Sequence, residues 1–191
     1  MSDRADRFTV VLDANVLASA LGRNMLLSLA EAGLFRPRWS IESLDETERA
    51  ISKIAGDPAV GKRHRNRIEA AFPEARVDGH QILIDAIKLK DPDDRHVVAA
   101  AIRTRAAIIV TENLKDFDAD TLEALEIQCL GLDAFVADLI DMAGPEAVEA
   151  LRQMRERFKA PEMTAEALIR RVEAIGLVDT ATLLEKYAAF L

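Results

Sequence analysis

The sequence predicts an α/β fold, a parallel sheet flanked by helices, with a helical extension at the C-terminal end. Three observations carry this. Short apolar runs, Thr9 to Leu12, Ala106 to Thr111 and Ile127 to Leu132, show no polar alternation, the pattern of strands buried on both faces. The stretches between them repeat apolar residues at helical spacing, so the order strand, helices, strand, helix, strand implies right-handed crossovers. From Gly144-Pro145 onward only helical spacing is found. The expected division is therefore 1–142 for the α/β part and 143–191 for the extension.

Thr9-Val10-Val11-Leu12 runs into Asp13, and a helical pattern follows. In an open α/β sheet ligands bind beyond the carboxyl ends of the strands. A charge there needs a partner or a cation. The alternative on this stretch alone is that Asp13 caps the next helix, a role aspartate favours. Asn15 to Ala32 then predicts one helix, with Val16, Leu17, Ala20, Leu21, Met25 and Leu29 on its apolar face and Gly33 as its stop. Leu34 to Arg38 reads as an extended link restricted by Pro37, and Trp39 as core.

Ser40 is placed to cap a helix running to about Ala55, with Ile41, Leu44, Glu48 and Ile51 on one stripe. Glu46 lies off that stripe and could be aimed inward by a helix beside a cleft. Glu42, Asp45 and Glu48 read as solvated surface. Gly56-Asp57-Pro58 restarts a helix with Asp57 as cap and Pro58 at its first position. That helix carries Lys62-Arg63-His64-Arg65-Asn66-Arg67, the most basic stretch in the chain. By default such a run is a solvated face. In an acidic protein Lys62, Arg63, Arg65 and Arg67 are also the candidates for phosphate contacts.

Phe72-Pro73 ends the basic helix. A short strand over Arg76-Val77-Asp78 and a helical turn over Gln81 to Ala86 are expected next. Asp91-Pro92 opens a helix whose apolar face is Val97, Val98, Ala101 and Ile102. Asp94 lies one turn in and leans towards the sheet. The helix dipole by itself accounts well for Asp93 and partly for Asp94. His96, two positions on, is expected to face elsewhere. Leu132 to Met142 is helical, and three further helices follow, separated by Pro161 and Gly176.

Composition narrows the classes. The chain has 191 residues, half of them hydrophobic, and a formal net charge of −8. That charge counts against indiscriminate nucleic-acid binding. Cys129, the only cysteine, can form no internal disulfide, so a reducing, cytoplasmic setting is expected, with the thiol as a small core side chain. MSDRADR carries no apolar signal segment, and no run approaches a membrane span, so no membrane partner is expected.

Asp13, Asn15, Thr111, Asn113 and Asp116 all follow the carboxyl ends of predicted strands, and Asp94 should border the same crevice. Converging carboxylates repel unless a cation neutralises them. All-oxygen ligands suit Mg2+ or Mn2+ rather than zinc. Two such ions about 4 Å apart could clamp a phosphodiester and activate water for in-line attack. No competing chemistry assembles. The three histidines lie in unrelated segments, and there is no Gly-rich phosphate loop, Gly-x-Ser-x-Gly elbow or zinc-spaced Cys/His set.

Val11-Leu12-Asp13-Ala14-Asn15, then Trp39-Ser40 with Glu46, then Asp91-Pro92-Asp93-Asp94-Arg95-His96, then Ile109-Val110-Thr111-Glu112-Asn113-Leu114-Lys115-Asp116-Phe117 resemble the ordered motifs of PIN domains, and in particular VapC-type toxins of bacterial toxin–antitoxin pairs. Each motif alone is weak; four in order, over roughly residues 8 to 140, are specific. The C-terminal helices lie outside that pattern. The resemblance implies a PIN-like sheet and a metal-dependent ribonuclease. Asp13, Glu46, Asp94 and Asp116 would be its catalytic acids and metal ligands. Asn15, Thr111 and Asn113 would orient those ligands and water by hydrogen bonds. Many members have an aspartate where Asn113 stands, which leaves Asp116 open between direct ligation and support, and Asp91 competes with Asp94 for ligation while also reading as a cap. The resemblance further implies Mg2+ (or Mn2+), an RNA substrate, a cognate antitoxin and a homodimer.

Two other classes compete. A PIN-like binding module without catalysis would show no stoichiometric Mn2+ binding, and the presence of all four acids argues against it. A metal-dependent phosphatase of small molecules would not need the basic run.

Overall fold

The computed structural model describes residues 8–159 and 161–191. The polar stretch at 1–7, read above as lacking a signal segment, lies outside them. The backbone gathers into two compact units. One comprises Phe8–Ser19 with Arg36–Gly131, the other Ala20–Phe35 with Leu132–Leu191.

The first unit holds a four-stranded parallel sheet of β1 (Thr9–Leu12), β2 (Arg36–Arg38), β3 (Ile108–Val110) and β4 (Gln128–Leu130), in the order β2-β1-β3-β4. Three of the four parallel strands fall on the three apolar runs, and the fourth is not the short strand expected over 76–78. The link at Leu34 to Arg38 is itself an edge strand, with Val10 paired to Pro37. An edge has a free side on which proline's missing N–H costs nothing, which is why Pro37 is tolerated. The expected strand over 76–78 reduces to a single bridge, Trp39 to Arg76. Val10, Val11, Leu12, Ile109 and Val110 are fully buried, as unbroken apolar runs require.

The first unit's helices are α1 (Ala14–Ala18), α3 (Ile41–Ala55), α4 (Pro58–Ala71), α5 (Gln81–Ile84), α6 (Arg95–Thr104) and α7 (Ala119–Glu123). The helix expected from Asn15 to Ala32 is broken at Ser19, whose backbone is extended, and resumes as α2 (Ala20–Glu31). Apolar periodicity is blind to a one-residue break because Val16, Leu17, Ala20 and Leu21 stay in phase across it. Ser40 caps α3 by accepting from Ser43 N, and Asp57 caps α4 with Pro58 in its first turn, both as expected. The hairpin α3–α4 closes tightly at Gly61, where a Cβ would stand 2.4 Å from the Glu48 carbonyl oxygen. Val97, Val98, Ala99, Ala100 and Ala101 of α6 share a core with Val11 and Ile109 of the sheet.

The second unit is helical: α2, α8 (Leu132–Met142), α9 (Gly144–Glu156), α10 (Ala165–Ala174) and α11 (Val178–Lys186). Phe35 meets Phe135 edge to face at 5.1 Å. The Asp133 carboxylate accepts from Asp179 N (2.9 Å) and Thr180 N (2.8 Å), tying α8 to the start of α11. The boundary expected at residue 142 falls between α8 and α9. Among the described residues no helix is long and apolar enough to cross a membrane.

Candidate active site

Because the strands run parallel, β1 and β3 release the chain at the same edge of the sheet. Asp13 and Thr111 therefore emerge side by side. Asp13 is 3% exposed. Its Oδ1 accepts from Ala14 N (2.6 Å); its Oδ2 accepts from Thr111 Oγ1 (2.7 Å) and Asn15 Nδ2 (2.8 Å). The two readings of Asp13 thus coexist, since one oxygen caps α1 while the other is held at the strand ends. Burial raises the carboxyl above its ordinary range, the Thr111 and Ala14 hydrogen bonds oppose that, and the nearby Glu46 charge adds to it.

Thr111 Oγ1 also accepts from Asn15 Nδ2 (2.9 Å) and Asn113 N (3.1 Å), which fills its hydrogen-bonding capacity. Asn15 Oδ1 accepts from Glu112 N (3.1 Å). Asn15 and Thr111 make these bonds through their side chains; the Asn113 contact is made by its backbone N–H.

The segment before α6 is a 3-10 turn over Pro92–Asp94, capped by Asp91, whose Oδ1 accepts from Asp93 N at 2.9 Å. Asp94 heads α6 without making a side-chain cap. Its carboxyl is pushed up to about 6 by burial and by the charges of Asp13, Asp91 and Asp116, with His96 opposing. Asp116 ends a second 3-10 turn, Leu114–Asp116, past β3. Two segments far apart in sequence, at Asp13 and Asp116, therefore join Asp91 of its own turn in bringing negative charge within electrostatic reach of Asp94.

Glu46 projects from α3 towards the same charges. Its Oε1 lies 3.6 Å from His96 Nε2 and 3.8 Å from Arg49 Nη2. This corrects the expectation for His96, which is buried, with Nδ1 2.8 Å from Ser40 Oγ and Nε2 facing Glu46. Spacing along α6 could not show this, because the groups that hold His96, Ser40 and Glu46, belong to α3 and its cap. Burial pulls the His96 imidazole down, yet Glu46 beside it, with Glu42 and Asp13, holds it above its ordinary value.

The basic run divides. Lys62, Arg63 and Arg67 are exposed on α4. Arg65 turns back onto α3, bonded to Asp45, with Glu48 at 3.1 Å and Glu69 at 3.5 Å. Asp45 and Glu48 are thus ion-paired rather than simply solvated, and Glu42 Oε2 bonds the buried His80 Nε2 at 2.8 Å. Helical spacing places these acids on a surface without showing that α4 packs over it.

A family model described as PIN domain matches residues 9–115, more than half of the chain and the whole span of these acids except Asp116. The chain belongs to the PIN domain family. A second model, described as VapC50 C-terminal domain, matches residues 132–186, beyond the PIN domain. A Mycobacterium tuberculosis protein named "Putative ribonuclease VapC50" is 38% identical over 83 residues, which cover 44% of this chain and 47% of that relative. The aligned part thus spans about half the length of the curated relative. No solved structure matches the chain.

The acids of this PIN domain offer only carboxylate oxygens, the donor set of a hard divalent cation. Among the described residues, no three His, Cys, Asp or Glu side chains stand close enough to hold one metal ion together. Mg2+ does not require that, since it keeps several waters and is usually bound through one or two carboxylates. In charge and donor type Asp13 and Asp94 therefore fit such an ion. Cys129 on β4 lies near enough to feel both, and burial with the Asp13 and Asp94 charges pushes its thiol up to about 12.

Proposed function

We propose that this PIN domain protein is a metal-dependent endoribonuclease, the toxin of a toxin–antitoxin pair. The observation that carries the proposal is the setting of Asp94, whose carboxyl is pushed up to about 6 by burial and by the charges of Asp13, Asp91 and Asp116 gathered around it. A fold gathers uncompensated charge of one sign when a ligand of the other sign is part of its function. The relative named as a ribonuclease supports the same reading.

Asp13 and Asp94 would hold the cation, Mg2+ or Mn2+, directly, and Glu46 and Asp116, the other two catalytic acids, would bind it through the waters it keeps. When bound, the ion would polarise the scissile phosphate and lower the pKa of the attacking water. The protein's own part is positional. Thr111 and Asn15 fix one Asp13 oxygen by hydrogen bonds, and the Ala14 N–H fixes the other. Lys62, Arg63 and Arg67 would meet the RNA backbone. Cleavage would leave 5′-phosphate and 3′-hydroxyl ends. The reading carries with it a cognate antitoxin, a homodimer, a cytoplasmic setting and a division into a nuclease part, 1–142, and a helical extension, 143–191.

The test is to sequence RNA ends that accumulate on induced expression and to repeat it with Asp13→Asn and Asp94→Asn. New ends that require both acids and vanish from purified reactions under EDTA support the proposal. Cleavage retained by a folded Asp94→Asn protein, or undiminished by EDTA, overturns it.

A further inference from the structure

We infer that His96 is a positioning residue, the middle of a buried tether Ser40–His96–Glu46 that aims the Glu46 carboxylate into the acidic edge of the sheet. The assignment rests on the metal-dependent reading above. Ser40 and His96 are both buried, and the ring is pinned at one nitrogen, with Nδ1 2.8 Å from Ser40 Oγ. The other nitrogen, Nε2, is fully buried and has no hydrogen-bond partner among the described residues; the group it faces is Glu46 Oε1, at 3.6 Å. A buried N–H left this way is costly, so a contact that tightens has a driving force.

The hydrogen-bond order follows from the carboxylate that faces Nε2. Ser40 Oγ already accepts from Ser43 N (2.9 Å) and lies 2.9 Å from Ser43 Oγ. With Ser43 Oγ–H donating to Ser40, the Ser40 proton is directed to His96 Nδ1, and the ring proton sits on Nε2, facing Glu46. A doubly protonated ring presents the same N–H. The remaining tautomer would aim a bare lone pair at a carboxylate. Glu46 is partly exposed and on a long side chain, so without this donor its carboxylate is free to swing out towards the exposed Arg49, whose Nη2 stands 3.8 Å from the same Oε1. Groups that orient an acid through a hydrogen bond typically change metal affinity by 10- to 100-fold when removed.

The test separates an N–H at the Nε2 position from a mere filler. His96→Gln can place an amide N–H where Nε2 stands; His96→Asn reaches only the Ser40 side. Calorimetric titration with Mn2+ should show roughly tenfold weaker binding for His96→Asn and near wild-type binding for His96→Gln. In the Glu46→Gln background, His96→Asn should weaken binding no further. In metal-free protein the two substitutions should lower Tm non-additively. Additive Tm losses, or the same Mn2+ penalty with and without Glu46, overturn the tether. Wild-type protein that binds no Mn2+ yet shows non-additive Tm losses overturns the nuclease reading and leaves the tether standing.

Discussion

Thr111 and Asp13, 98 positions apart in the chain, meet through a hydrogen bond of 2.7 Å from the threonine hydroxyl to the carboxylate Oδ2. Register makes this possible, since Leu12 pairs with Val110, so the next residue of each strand turns off the sheet at the same level. Thr111→Val keeps the shape and removes the hydroxyl. The variant should lose about 1–3 kcal/mol, the cost of removing a hydrogen bond to a buried charge, read as a lower denaturant midpoint with unchanged m. Cleavage should fall by roughly 10- to 100-fold as Asp13 loses its orientation. A variant as stable and as active as wild type would show that Asn15 and Ala14 suffice.

Asp94 makes the metal-free protein sensitive to pH in a direction opposite to ordinary paired carboxylates. Its folded-state value of about 6 lies above the ordinary 3.8, so the folded state binds the proton more tightly than the unfolded chain. Stability contributed by the protonated acid is present below pH 4 and is lost as pH rises through 4 to 6. With EDTA present, wild-type Tm should therefore fall relative to Asp94→Asn between pH 4 and 6. The two curves should run parallel above 7, with the variant higher. A wild type that gains on the variant as pH rises would mean that Asp94 is paired with a cation of the protein's own.

The basic helix should split by function. Arg63→Gln with Arg67→Gln should weaken RNA binding and flatten its salt dependence, by a slope of about one for each phosphate no longer neutralised, without lowering Tm. Arg65→Gln leaves Asp45, Glu48 and Glu69 facing one another. It should cost stability on the order of 1 kcal/mol and affect RNA binding less. Filter binding across a salt series together with thermal melts reads both. Equal effects of the three arginines on binding would place Arg65 in the interface despite its ion pairs.

Cys129, with its thiol near 12, should be nearly inert in the folded state. At pH 8 a thiol of that kind is ionised on the order of one part in ten thousand, and the thiolate is the nucleophile. Iodoacetamide labelling of native protein should be about a thousandfold slower than in denaturant. Rapid labelling of the native protein would mean that the carboxyl end of β4 opens to solvent.

How much of this is legible in the sequence follows the range of the interactions. Unbroken apolar runs located three of the four strands. For β1 and β3, central burial leaves a mark within four or five consecutive residues. β4 is an edge strand that begins at the exposed Gln128, and Ile127 and Cys129 to Leu132 keep it largely apolar. Caps such as Ser40, Asp57 and Asp91 were legible too, since their partners lie two or three residues away. The edge strand Arg36–Arg38 was missed: a strand at an edge needs little apolar content, and proline disguises it. The break at Ser19 was missed because both halves keep the same phase.

The site divides the same way. The sequence by itself determined which residue types stand past the strand ends, and so the acidic chemistry and the membership in a PIN domain family. Only the tertiary structure decided that Asp13 is shared between a helix cap and Thr111, that Arg65 turns inward, and that His96 stands between Ser40 and Glu46. Each depends on elements packing across tens of residues, and side-chain spacing within one helix or strand carries no information about what lies over it.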